Sequence, residues 1–116
     1  YLFKDDTPAL GMFIIKSGTI EIEKINPAGE SMTLASIGQG EILGELALLT
    51  DIQRTASALC VTPATAYILF KHDLNDLISR ETGMGVKIMQ DIAALVSDKL
   101  KQTTDELVKY KMETYI

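Results

Sequence analysis

The chain has 116 residues with 11 Lys or Arg against 16 Asp or Glu, a net charge of −5, which excludes the clustered basic excess of a broad nucleic-acid footprint. Hydrophobic residues make up 47%, too many for a disordered chain and enough for one compact core at this length. Cys60 and His72 each stand alone, which excludes an intrachain disulfide, an Fe–S ligand set and a Cys/His zinc site.

No apolar run reaches transmembrane length and no signal peptide is visible, which says little about a parent protein; a cytoplasmic placement is expected, with no membrane contact evident. The first residue is Tyr1 rather than Met, which points to a piece of a longer protein.

Residues 1–70 read as β structure. Met12-Phe13-Ile14-Ile15 is a short apolar run that ends in Lys16 and the turn pair Ser17-Gly18. Thr19-Ile20-Glu21-Ile22-Glu23 alternates strictly, which puts Ile20 and Ile22 on a buried face and the carboxylates in water. Two strands joined by Ser-Gly predict a hairpin. Asn26-Pro27-Ala28-Gly29 predicts the next turn, and residues 32–37 another strand closed by Gly38-Gln39-Gly40. Residues 55–61 and 65–70 complete the set, with Thr62-Pro63 as the break. Short strands at regular spacing with Gly-rich turns imply a barrel or sandwich. Met12, Phe13, Cys60 and Tyr67 read as packing residues, and Asp5-Asp6 as a solvated turn.

Residues 40–56 carry the chemistry. Gly40 and Gly44 allow a tight backbone path near a ligand. Residues 45–49 form helices readily but are too few for an independent one. A single helical turn there aims free N–H groups at an anion, and Arg54, expected to begin the next strand, supplies a fork that binds two phosphate oxygens at once. Glu45 would repel a phosphate unless the ligand also brings a hydroxyl donor, such as a ribose hydroxyl. The pattern therefore fits a sugar phosphate of limited charge. No Walker lysine and no Gly-x-Gly-x-x-Gly is present. The plain alternative is a surface Glu and a structural Arg beside an ordinary turn.

Lys71-His72-Asp73 opens a helix that buries Leu74, Leu77 and Ile78, with His72 exposed at its start. Gly83-Met84-Gly85 is expected to interrupt it. A long helix follows over residues 86–114. Val86, Met89, Ala93, Val96, Leu100, Thr103, Leu107, Tyr110 and Thr114 repeat at alternating spacings of three and four, an apolar heptad seam broken only by the threonines. Ile88, Ile92 and Leu95 form a second strip. Such a helix is roughly 40 Å long, and a domain of this size is about 30 Å across. Part of the seam therefore projects and asks for a partner. The expected arrangement is a homodimer through parallel long helices; the alternative is a core helix of a larger parent protein.

Gly44-Glu45-Leu46-Ala47-Leu48-Leu49, with Arg54 ten residues after Gly44, resembles the phosphate-binding cassette of cyclic nucleotide-binding domains. That family includes the bacterial catabolite activator, kinase regulatory subunits and cyclic-nucleotide-gated channels. Gly18, Gly29 and Gly40 agree with it, and the likeness covers nearly the whole chain. It implies a mainly β fold with α: a jelly-roll-like β-roll (residues 1–70, cassette 40–56), then a short and a long C-terminal helix in the same domain (71–116). It implies that Arg54 binds the exocyclic phosphate oxygens of a 3′,5′-cyclic nucleotide and that Glu45 accepts from the ribose 2′-hydroxyl. Backbone amides around Gly44, Glu45, Leu46 and Thr55 add donors, and the Thr55 hydroxyl reaches phosphate or base. Leu43 stands where the family often has Phe, and Gln53 where Pro or Ala is common, which costs some loop rigidity.

Thr103-Thr104 resembles the Thr-Ser pair that meets adenine in the catabolite activator, although the spacing from Arg54 is about one helical turn longer here; threonines tolerated at a seam are the alternative. The likeness implies a sensor module rather than an enzyme, with no catalytic residues, metal or cofactor. cAMP is the expected ligand. cGMP is the alternative, because Thr directly after the arginine also occurs in cGMP-preferring relatives. The module would be the effector half of a bacterial transcription regulator or another signalling protein, with no nucleic-acid contact of its own. The rival reading is a dimerisation module of the same fold with no ligand.

Overall fold

Apolar runs separated by turn residues pair into two small sheets. The computed structural model describes residues 1–115, with side chains to Lys111. Its strands are β1 (Gly11–Ser17), β2 (Ile20–Ile25), β3 (Ser31–Ile37), β4 (Ile42–Leu43), β5 (Ser57–Cys60) and β6 (Thr65–Phe70). A 3₁₀ turn at Glu45–Leu48 lies between β4 and β5, and the helices α1 (Lys71–Arg80) and α2 (Thr82–Tyr115) follow. One antiparallel sheet has the order β4-β1-β6 and the other β3-β2-β5. The result is an open β-roll rather than a closed barrel.

The predicted Ser-Gly hairpin does not form: β1 pairs with β4 and β6, whereas β2 pairs with β3 and β5. Ser17-Gly18 is instead a corner that hands the chain from one sheet to the other. Gly18 sits at φ 92°, and a Cβ there would come within 2.6 Å of both the Ala64 side chain and the Pro63 carbonyl. Both edges of β1 are already paired, with β4 and β6, which leaves no edge for β2. The true hairpin joins β2 to β3, and its turn is self-contained. Gly29 N–H donates to the Asn26 carbonyl at 2.9 Å, and Glu30 N–H donates to Asn26 Oδ1 at 2.9 Å.

Phe13, Ile15 and Leu43 of the first sheet share a core with Ile20 and Ala58 of the second, so the inner faces of the two sheets are stacked. Ile20 is fully buried, as its alternation predicts, and Ile22 is half-buried against this cluster. Each buried aliphatic side chain of this kind contributes about 1.5–3 kcal/mol. Met12 and Phe13 are buried and Cys60 packs against the core, but Tyr67 is exposed, with the Lys16 ammonium over its ring.

The chain divides into two compact units, one spanning Tyr1–Leu74 and a second starting at Asn75. α1 buries Leu74 completely, while Leu77 and Ile78 are half-buried. Gly83-Met84-Gly85 does not interrupt the helix. The break falls at Glu81, and α2 begins at Thr82, so both glycines lie in its opening turns. Gly85 is there for packing: an added Cβ would lie 2.8 Å from Ile78 Cα, whereas one on Gly83 meets nothing within 4 Å. In α2, Ile92 is buried and Ile88 and Leu95 are half-buried, whereas Val86, Leu100, Leu107 and Tyr110 of the seam are exposed.

Alanine at these two glycines should act in opposite directions. Gly83→Ala gains up to about 1 kcal/mol of helix propensity. Gly85→Ala gains the same propensity but overpacks a backbone contact, for a net loss of roughly 1–2 kcal/mol. Urea unfolding midpoints of the two variants check this.

Candidate functional site

The predicted cassette is built around one side chain. Gly44 takes the left-handed conformation (φ 76°, ψ 22°) and caps the 3₁₀ turn, which closes when Ala47 N–H donates to the Gly44 carbonyl at 3.1 Å. Glu45, the first residue of the turn, is buried, and Leu46 points outward. Arg54 does not begin a strand. It lies in the loop three residues ahead of β5, with the exposed Thr55 beside it.

A short N-terminal segment pins that loop. Arg54 N–H donates to the Thr7 carbonyl at 2.7 Å, and Asp6 N–H donates to the Arg54 carbonyl at 2.8 Å. Ala9 N–H donates to the Ile52 carbonyl at 3.0 Å, so residues 6–9 run antiparallel to 52–54. Asp6 adopts φ 59°, a left-handed turn that Asp tolerates. Oriented with its amide nitrogen inward, Gln53 donates to the Thr7 and Asp6 carbonyls at 3.3 Å. Those bonds offset the rigidity that a proline there would have supplied.

The Arg54 side chain runs inward and is 8% exposed. Its Nη2 donates to the Gly11 carbonyl at 2.7 Å. Its Cζ lies 4.3 Å from the centroid of the Phe3 ring and 5.6 Å from that of Phe13. A Cβ on Gly44 would overlap Nη1, so glycine is required there both for its φ and to admit the guanidinium. Nε is buried and has no hydrogen-bond partner. Burial draws the Arg54 pKa below the ordinary arginine value, yet a guanidinium stays charged.

Gly44, Glu45, Leu46, Arg54 and Thr55 therefore all lie in the first unit, with Arg54 abutting Gly44. Thr103 and Thr104 belong to the second unit. Their hydroxyls donate to the Lys99 and Leu100 carbonyls at 3.0 and 2.9 Å, bonds that a base contact would have to share or replace. No local sequence pattern marks Phe3, Gly11 or residues 7–9 as part of this site, and Asp6 reads from sequence only as a solvated turn. His72 is exposed and stacks on Phe70. Among the described residues, no three of His, Cys, Asp and Glu gather as a metal set, and no helix is long and apolar enough to cross a membrane. The assembled chemistry is that of a desolvated cation with an unspent donor, suited to a small anion.

Comparison with known proteins shows the family. The profile of the cyclic nucleotide-binding domain matches residues 1–81. The chain is 31% identical over 96 residues to the cyclic AMP receptor protein of Thermus thermophilus, covering 83% of this chain and 43% of that protein. It is 30% identical over 100 residues to the acetyltransferase Pat of Mycolicibacterium smegmatis, covering 83% of this chain and 29% of that one. It thus spans less than half the length of these curated relatives. The crystal structure of a cyclic nucleotide-binding domain from Methylobacillus flagellatus superposes with a TM-score of 0.83 at 22% identity, covering 92% of this chain and 60% of that one.

The overlap between position 44 and the guanidinium has a measurable signature. Gly44→Ala should destabilise by more than the roughly 1–2 kcal/mol of a left-handed alanine. Part of that loss should vanish in Gly44→Ala/Arg54→Ala, where no guanidinium fills the space. A double-mutant cycle by denaturant unfolding should give a coupling of at least about 1 kcal/mol.

Proposed function

The chain belongs to the cyclic nucleotide-binding domain family, and on that premise we propose that it is a sensor module taking a 3′,5′-cyclic nucleotide, cAMP foremost, at the Gly44–Thr55 loop. One observation carries the proposal: the buried Arg54 guanidinium beside left-handed Gly44, with Nε unpaired. An unsatisfied buried donor costs about 1–3 kcal/mol, and a phosphate oxygen removes that cost.

In this reading the Arg54 fork holds the exocyclic phosphate oxygens and the Glu45 carboxylate accepts from the ribose 2′-hydroxyl. The amides of Gly44, Leu46 and Thr55 add donors, and the Thr55 hydroxyl meets phosphate or base. Thr103 and Thr104 are the proposed base contacts. The naming of the Thermus relative as a cyclic AMP receptor protein supports cAMP; cGMP is the competing ligand, through Thr55. The module performs no chemistry and acts in the cytoplasm. Ligand binding shifts the equilibrium of the C-terminal helices by its difference in affinity for their arrangements. The output is a transcription regulator or another signalling protein.

Arg54 should dominate affinity. Leaving a buried phosphate without its partner costs roughly 3–5 kcal/mol, a hundred- to several-thousand-fold. Titration calorimetry of native chain and Arg54→Ala, with cAMP and cGMP in the same salt, should show binding only to the native chain, and tighter for cAMP. Unchanged affinity in Arg54→Ala would refute the site. A thermal melt separates this reading from the ligand-free module, because ligand at a hundred times Kd adds about 2.7 kcal/mol.

The homodimer is the second part of the proposal. Its support is the exposure of Val86, Leu100, Leu107 and Tyr110 along the seam, together with an apolar groove lined by Ile78, Val86, Met89 and Ala93. Sedimentation should show a dimer for the native chain and a monomer for Leu100→Glu/Leu107→Glu. A native monomer at micromolar concentration sinks this part alone.

A further inference from the structure

A cation taken out of water, with one donor unpaired, holds its place only if something offsets the loss of hydration. At Arg54 the Gly11 carbonyl accepts from Nη2 at 2.7 Å and the Phe3 ring lies 4.3 Å from Cζ. The face of an aromatic ring carries the negative part of its quadrupole, and it attracts a guanidinium without using any N–H. The carbonyl spends one donor on one edge of the fork; the ring spends none. We propose that Phe3 is a positioning residue for Arg54, an aromatic seat that keeps the fork inside the roll without taking up any of its donors. This rests on the reading that Arg54 takes the phosphate.

Both members of the pair are fixed by backbone. The Phe3 carbonyl accepts from Ala58 N–H at 2.9 Å, which pins the ring's residue to β5. Arg54 is tied through both its N–H and its carbonyl to residues 6–7. Phe13 backs the seat, its ring centroid 5.7 Å from that of Phe3. With both main chains held, the freedom left to Arg54 is its side-chain rotamer: seated on the ring or swung out to water. Apparent affinity is the intrinsic affinity multiplied by the seated fraction. Because the seat holds a desolvated cation with an orphan Nε, weakening the ring empties it. A filler residue would act otherwise: its effect would follow side-chain volume and ignore ring electronics.

The test replaces the Phe3 ring with mono-, di- and trifluorinated phenylalanine, which nearly preserves volume while draining the π face. Phe3→Leu and native chain are measured alongside, all by calorimetry with cAMP. Phe3→Leu should weaken binding roughly three- to thirty-fold, the equivalent of a ring–cation contact of this kind. The fluorine series should weaken it stepwise, and the same series at Phe13, 5.6 Å from the cation, should move it less. If affinity stays flat across the fluorine series while Arg54→Ala still abolishes binding, Phe3 is a packing residue and the proposal is overturned. If Arg54→Ala binds as native does, or the native chain binds no cyclic nucleotide, the reading beneath it has failed and the proposal goes with it. The fluorinated chains keep the test decisive even if Phe3→Leu does not fold.

Discussion

The buried guanidinium of Arg54 is the constraint around which the first unit is organised. Removing a charge of this size from water costs several kcal/mol even after relaxation. The fold offsets that with a backbone carbonyl and two aromatic rings. Three separate stretches of chain deliver them: Phe3 comes from the N-terminal segment, Gly11 and Phe13 together from β1, and the cleared space from Gly44. The 6–9 strap and the 52–54 loop are bonded to each other for the same reason, since a side chain this confined tolerates little drift in its own backbone.

The same node separates what a sequence displays from what it hides. Gly44 and Arg54 are readable because they lie in one ordered stretch, whose order resembles a known cassette; the residues alone also fit a structural Arg beside an ordinary turn. Phe3 is not readable. Its contact with Arg54 joins two segments with no shared periodicity, and before the fold is known an early aromatic looks like any other core residue. Gln53 is an intermediate case: read as a loosened proline position, it is a side chain whose amide can replace the lost stiffness with hydrogen bonds.

Strands and turns divide along the same line. The Asn26 turn was legible because its hydrogen bonds are made within five residues. Ser17-Gly18 has the local pattern of a hairpin turn, but the chain packed against it, at Pro63-Ala64, arrives from far along the sequence. Gly83-Met84-Gly85 was misread as a break because glycine weakens helices in isolation, whereas Gly85 admits the close approach of Ile78. At both places the local preference is real, and packing against another segment overrules it. The two strips of α2 are separated less cleanly: Ile92 is buried and Ile88 and Leu95 half-buried, but Met89 and Val96 of the seam are half-buried too, and the seam is exposed without a break only from Leu100 to Tyr110.

A sensor needs an energetic difference between its empty and filled states, and a fully satisfied site has little to offer. At the site proposed for this chain, Arg54 Nε is a buried donor with no partner. An anion that pairs it gains more than the bare contact, because it also removes a standing penalty. That gain is lost if the guanidinium reaches water, where the donor is satisfied by solvent and the two states converge. An orphan Nε is therefore useful only while the side chain is held in, and the rings and carbonyl that hold it in do so without consuming that donor. Stability and responsiveness oppose each other at this residue: a second internal acceptor for Nε would make the empty fold firmer and the bound state less distinct from it.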